Sequence, residues 1–246
     1  MPDFLRPDWP APARVKSLQT LRGGGVSQAP WDSCNLGDHV GDLPAHVAAN
    51  REALRALLPD VPCWLEQVHG TLAVNAENGP KPAIADAAWT RRSGRVCAVM
   101  TADCLPLLFC DRAGSVVAAA HAGWRGLAGG VLESTLAAMT VPASEVLVWL
   151  GPAIGPTAFE VGDEVRAAFV AGMPAASEAF WPIGQGKWLA DLVALARMRL
   201  QRAGVTAVYG GGECTYSDPA RYFSYRRDGV TGRMATLVWL EGADSV

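Results

Sequence analysis

From Met100 to Gly126 the chain reads MTADCLPLLF, a short polar turn DRAG, then SVVAAAHAGWRG. Two apolar runs of strand length on either side of a turn signal specify an antiparallel hairpin. Centred between Arg112 and Ala113, such a hairpin sets Cys110 opposite Ser115 and Cys104 opposite His121. Opposed residues on one sheet face hold their Cβ atoms roughly 4.5–5.5 Å apart, so one metal ion or one proton fits between this thiolate and this imidazole. Register matters here, because a slip of one residue sends the two side chains to opposite faces. Pro106 has no N–H to give a ladder, which puts the first strand at a sheet edge or breaks it there.

At 246 residues the chain can bury a substantial core, and it shows no repeat, low-complexity tract or linker; we expect one domain over 1–246. Half of its residues are hydrophobic and 18% are charged, below the usual quarter, which favours a compact, ordered protein. The balance of 21 Lys and Arg against 24 Asp and Glu gives a formal charge of −3, with no basic run. That argues against nucleic acid or an anionic membrane as main partner. The opening MPDFLRPDWP has neither the n-region nor the h-region of a secretory signal, and no apolar stretch reaches the ~18–20 residues that span a bilayer. The expected address is the cytoplasm, where the six cysteines are thiols. Their spacing contains no C-x-x-C, so neither a zinc finger nor a thioredoxin-type pair is indicated.

Along the chain, Val15–Thr20 reads as a strand, and a Gly-rich loop (Gly23, Gly24, Gly25) runs on to NLGDHVGD. Leu43–Leu58 carries apolar residues at helical spacing, with Asp42 as its N-cap. Trp64–His69, Thr71–Asn75 and Val96–Thr101 read as strands. After the hairpin, Leu127–Met139 reads as a helix, Val146–Leu150 as a strand and GPAIGP as a turn. Glu160–Ala171 and Trp188–Arg202 read as amphipathic helices. Val205–Tyr209, Tyr222–Arg226 and Met234–Leu240 close the chain as strands. Several strands adjoin without intervening helices, which points to an α+β architecture rather than a doubly wound parallel sheet.

Of the four histidines, His69 and His121 sit at strand ends beside glycine turns, where a ligand can approach closely. His39 and His46 fall in a polar loop and an early helix turn and read as solvated. His69, Cys104 and His121 admit three readings: a zinc site with an open position, a nucleophilic Cys104 activated by His121, or a cysteine that is merely a small buried hydrophobe. In HAGWRG, Gly123 and Gly126 precede a helix with Arg125 between them, a pattern suited to an anion. Arg226, Arg227 and Arg233 form a further basic cluster on an expected hairpin, where a solvated face is the favoured reading. Asp103, beside Cys104, points the other way in strand alternation. Trp124 reads as core or as a stacking platform.

The segments NLGDHVGD, WLEQVHG, ADAAWT, VMTADCLPLLF, HAGWRGL, LGPAIGPTAFEVG, KWLADL, CTYSDP and YFSYRRDGVTGRMATLVWL, in this order, resemble the YfiH-type family of bacterial proteins, related to the laccase domain of animals. The resemblance covers nearly the whole chain. Family members go under the names polyphenol oxidase, purine nucleoside phosphorylase and peptidoglycan editing factor. What it implies is a layered α/β/β arrangement of mixed sheets, and zinc held by the histidine of QVHG, the cysteine of TADC and the histidine of HAGWRG. Here these are His69, Cys104 and His121, the implied catalytic centre. At Thr157-Ala158 many relatives carry two cysteines, so any metal use of that position is closed to this chain.

The activity implied by resemblance is that of a zinc-dependent purine nucleoside phosphorylase, cleaving adenosine, inosine and methylthioadenosine with phosphate and also deaminating adenosine. Its partners would be small molecules, a purine nucleoside and a phosphate, the latter cradled by Arg125 with the Gly123–Gly126 turn or by Arg226 and Arg227. The H-x-E and P-C-x-x-C motifs of the zinc deaminases are absent, so an acid–base residue must come from elsewhere, with Glu66 and Asp103 nearest in sequence. The alternatives are an amide hydrolase that edits cell-wall precursors and a copper-dependent polyphenol oxidase. Copper also suits two histidines and a cysteine, but a multicopper oxidase needs more than the four histidines present.

Overall fold

The computed structural model, which describes residues 1–77 and 82–242, resolves the strand-rich sequence into two principal sheets that share a core. The chain opens with β1 (Phe4–Leu5), β2 (Val15–Thr20) and helix α1 (Pro44–Arg55). Short strands β3 (Leu65–Glu66), β4 (Ala73–Asn75), β5 (Ala83–Ile84) and β6 (Ala87–Thr90) precede the buried run β7 (Val96–Thr101), β8 (Leu105–Asp111) and β9 (Val117–Ala122). Helices α2 (Trp124–Gly129) and α3 (Val131–Met139) lead to β10 (Val146–Leu150), β11 (Glu160–Gly162) and α4 (Asp163–Val170). The last part holds β12 (Phe180–Gly184), β13 (Lys187–Ala190), α5 (Leu192–Arg202), β14 (Ala207–Gly210), α6 (Tyr225–Asp228) and β15 (Met234–Leu240).

One sheet has the strand order β14-β10-β8-β9-β6-β4 and the other β1-β2-β15-β7; β11-β13-β12 and the β3–β5 pair are smaller. Period-two alternation assigns each face. Leu105, Leu107 and Phe109 of β8, with Ala118, Ala120 and Ala122 of β9, pack against Leu127, Leu132, Leu195 and Leu200 of the helices. The intervening Leu108, Cys110, Val117 and Ala119 meet Cys97 and Val99 of β7 and Val238 and Leu240 of β15. The far face of β7 and β15 (Val96, Ala98, Leu237, Trp239) buries Leu54 and Leu58. Strands covered on both faces have no reason to alternate with polar residues, hence the continuous apolar runs. The result is a single α+β domain with the expected α/β/β layering, to which α1 adds a cover on the outer sheet.

The hairpin forms two residues out of the expected register: Pro106 pairs with His121, and Cys110 with Val117. Asp111 is the cause. Its Oδ1 accepts from the N–H of Ser115 at 2.6 Å and of Val116 at 3.0 Å, while Oδ2 accepts from Ser115 Oγ at 2.6 Å. This side-chain turn centres the loop one residue later. A slip of two preserves parity, so Cys104 and His121 still share the face toward the second sheet. Nor is β8 an edge strand. Pro106 O accepts from Gly151 N at 2.9 Å just past the Leu107–Leu150 pair, so the missing N–H falls where that ladder ends.

Other boundaries move for local reasons. The helix expected over Leu127–Met139 starts earlier and breaks into α2 and α3 at Gly130, whose φ of 106° suits only glycine. Helix α1 has Leu43 as N-cap, because Asp42 instead accepts from Leu43 N, Ser27 Oγ and Asn35 Nδ2. The stretches from Glu160 and Trp188 begin as β11 and β13 and turn helical only at α4 and α5, the latter capped by Asp191. Tyr222–Arg226, expected as a strand, gives way to α6, because Ser224 accepts from Arg227 N and caps a helix. Among the described residues no helix is long and apolar enough to cross a membrane.

Candidate metal centre

Between β7 and β8 the chain steps from one sheet to the other through Ala102, Asp103 and Cys104. Cys104 thereby lies at the seam, beside His121 near the end of β9. His69 arrives on the loop after β3, which stops being a strand at Glu66 because Gln67 turns its amide onto β7. Gln67 Oε1 accepts from Met100 N at 2.7 Å and Nε2 donates to Met100 O at 2.8 Å, as a peptide group would. One ligand atom from each of His69, Cys104 and His121 lies within 4.8 Å of the others. Cys104 Sγ is 3.7 Å from His69 Nε2, and the two imidazoles stand edge-to-face with centroids 4.8 Å apart. Gly123 makes room for this: a Cβ there would sit 2.5 Å from His69 Cδ2 and 3.1 Å from Cys104 Sγ.

Behind the cluster lies Asp86, wholly buried just before β6. Its Oδ1 accepts from His121 Nδ1 at 2.8 Å and from His69 N at 2.9 Å; its Oδ2 accepts from Gly70 N at 2.6 Å and Val68 N at 3.2 Å. One carboxylate thus orients the His121 ring and clamps the loop that carries His69, whose φ of 59° is costly for a non-glycine residue. Burial opposes the Asp86 charge, but the His121 ring and the converging N–H groups outweigh it and hold the pKa below the usual carboxylate range. Burial likewise opposes a Cys104 thiolate, yet His121 and His69 beside it bring the thiol pKa down. For His121, burial disfavours the charge and is overcome by Cys104 and Asp86, which raise its pKa. The cluster therefore presents a thiolate, the form that ligates metal.

A soft thiolate with two imidazoles suits zinc or copper, and three protein donors leave a coordination position open. The donor set fits a metal, with the carboxylate–histidine arrangement typical of metal ligands behind it. It opens on a cavity of about 400 Å³, lined also by His39, Gln67, Tyr225 and Arg233.

The remaining candidates fall differently. Gly123 and Gly126 serve close packing: a Cβ on Gly126 would lie 2.7 Å from Gly70 O. Arg125 is exposed and stacks on Trp124, which packs against the helical core; neither lines the cavity. Arg227 is spent on the carbonyls of Thr215, Tyr216 and Tyr222, and Arg226 lies over Phe159, both on α6 rather than a hairpin. Asp103, with φ 97°, accepts from Thr215 Oγ1 and Arg226 N, so both oxygens are engaged in holding the crossover. Glu66 is exposed in an adjoining groove with Arg51 and Trp64. His39 is solvated as expected, but on the cavity rim. Asp86 and Gln67 were not singled out by sequence, although an aspartate among the alanines of ADAAWT is the signal of a buried charge with a task.

Residues 16–241 match the family described as multi-copper polyphenol oxidoreductase laccase. A Pseudomonas aeruginosa protein named purine nucleoside phosphorylase is 59% identical over 240 residues, 97% of this chain and 98% of its own. The purine nucleoside phosphorylase YfiH of Escherichia coli is 53% identical over 98% of this chain and all of its own. The crystal structure of a Neisseria meningitidis protein, 58% identical, superposes with a TM-score of 0.95 over 98% of this chain and 100% of that one. YlmD from Geobacillus stearothermophilus, 32% identical, superposes at 0.89 over 98% of this chain and 97% of its own. By profile, identity and superposition alike, the chain belongs to the multi-copper polyphenol oxidoreductase laccase family, that of the YfiH-type proteins.

Proposed function

We propose that this protein is a zinc-dependent purine nucleoside phosphorylase, acting on adenosine, inosine and methylthioadenosine and also deaminating adenosine. The observation that carries the reading is the His69–Cys104–His121 donor set opening on a cavity of about 400 Å³, a size that suits a small-molecule ligand. The names of the relatives more than half identical to this chain supply the substrate class. His69, Cys104 and His121 would hold the zinc, with Asp86 keeping the Nδ1 proton of His121 in place so that Nε2 faces the ion. A bound zinc supplies a Lewis acid at the cavity wall. Tyr225, whose ring Arg233 overlies at 5.9 Å, adds an aromatic group to the cavity wall. The proposed address is the cytoplasm, whose reducing milieu keeps Cys104 reduced and free to ligate.

The test is adenosine turnover by zinc-quantified protein, with and without phosphate, separating adenine, ribose 1-phosphate and inosine. Phosphate-dependent adenine and ribose 1-phosphate, lost in His121→Ala, are expected, with inosine as a second product. Inosine alone would reduce the activity to deamination. No product from zinc-replete protein would overturn the reading, and an amino acid released from muropeptide precursors would replace it with cell-wall editing.

A further inference from the structure

Arg233 lines the same cavity as His69, Cys104 and His121, and its placement is built from two distant segments. Asn35 Oδ1 accepts from Arg233 N at 2.9 Å, and Arg233 O accepts from Leu36 N at 3.1 Å. The stem then passes Gly37, where a Cβ would lie 2.8 Å from Arg233 Cγ. These contacts give NLG a reason to be spelled that way: asparagine to fasten the strand entry, glycine to let the arginine through. At the tip, Nη1 donates to Thr231 O and Gly232 O, both at 3.0 Å, which fixes the guanidinium plane.

What remains is a fork. Nε and Nη2 have no acceptor among the described residues, and no described carboxylate lies within ion-pair reach. Arg22, Arg51 and Arg227 each hold one, at 3.0, 3.2 and 2.8 Å. Burial disfavours the Arg233 charge, with Cys104 and Asp103 the main groups supporting it. With a divalent ion bound, a single thiolate would leave the neighbouring centre positive as well. A half-buried, rigid guanidinium without a carboxylate calls for an anion able to take two parallel N–H bonds.

The geometry points to Arg233 as the grip for the phosphate co-substrate, binding two of its oxygens through Nε and Nη2; this rests on the phosphorylase reading. An oxygen of hydrogen phosphate bonds to the sugar C1′ as the C1′–N9 bond breaks. The bonding pair leaves on the base nitrogen, and the phosphate proton ends on the base, so charge and atoms balance. Arg233 holds the nucleophile without entering the bonds that change. It differs from the cradles expected at Arg125 and at Arg226 and Arg227, none of which lines this cavity.

The experiment measures inorganic phosphate binding to zinc-loaded protein by ³¹P line broadening, alongside separate KM values for phosphate and inosine. Arg233→Met keeps the stem and Arg233→Lys keeps the charge but not the fork; zinc content and thermal unfolding confirm that each is folded and loaded. The expected result is phosphate binding and KM weakened about 10- to 100-fold in Arg233→Met, less in Arg233→Lys, with the inosine KM little changed. Phosphate-dependent turnover with an unaltered phosphate KM in both folded variants would overturn the role of Arg233 and leave the phosphorylase standing. Phosphate binding lost with Arg233, in a protein that cleaves no nucleoside, would uphold the anion grip and overturn the phosphorylase. No phosphate binding to the zinc-loaded wild type would overturn the assignment outright.

Discussion

Four donors converge on the Asp86 carboxylate, and two of them belong to candidate metal ligands. Asp86→Asn must turn an NH2 toward an N–H that a carboxylate oxygen accepted, so the His121 ring and the His69 loop lose their common anchor. Metal affinity should fall about 10- to 100-fold, measured by competition with a chromophoric chelator; wild-type affinity would show that Asp86 orients nothing. Gly123→Ala attacks the same centre from the other side, by pushing a methyl into His69 and Cys104. Bound metal should drop from one equivalent toward none while the metal-free protein unfolds near its usual temperature; full loading would contradict the packing argument. The ligands were legible because histidine and cysteine advertise their chemistry. Asp86 was not, because it meets His121 across 35 residues of sequence through sheet pairing that no local pattern encodes.

At the scale of elements, the hairpin was legible as a hairpin but not in its register. Residue types cannot reveal that Asp111 will gather Ser115 and Val116 into a side-chain turn, yet the resulting slip of two leaves the facing of Cys104 and His121 intact. Short apolar runs fit both the strand and the helix period, which is why the sequence pattern hides β11 and β13 inside helices and spells α6 like a strand. Asp42 shows how an expected cap can serve a loop. Burial raises its pKa, but Asn35, Ser27 and Leu43 N more than offset this and leave the net shift downward. A folded-state pKa below the unfolded value means stabilisation that is present above about pH 4 and lost as pH falls through the folded pKa. Asp42→Asn should therefore be destabilised by about 1–3 kcal/mol at neutral pH, with the gap to wild type closing in acid. Denaturant melts across pH would register this, and a pH-independent gap would contradict it.

Across the whole molecule, the adjoining strands and the family motifs made the layered class legible, but not the partition into sheets. β7 and β8 are separated only by Ala102–Cys104 and still lie in different sheets, with the centre at their junction. A metal there would tie the β3 loop, the crossover and β9 together, and a ligand that binds only the folded state stabilises it. At a hundredfold excess over Kd the gain is about 2.7 kcal/mol, which for a chain of this size raises Tm by roughly 5–11 °C. Zinc added to stripped protein should produce that rise, and Cys104→Ala should not show it.

On the proposed function, a metal held by His69, Cys104 and His121 is what would make nucleoside cleavage happen. The most direct test is ribose 1-phosphate release from inosine, measured against bound zinc as stripped protein is reloaded. The account predicts a rate that rises in proportion to occupancy up to one equivalent and stays at background in Cys104→Ala. Full turnover by metal-free protein, or by Cys104→Ala, would contradict it.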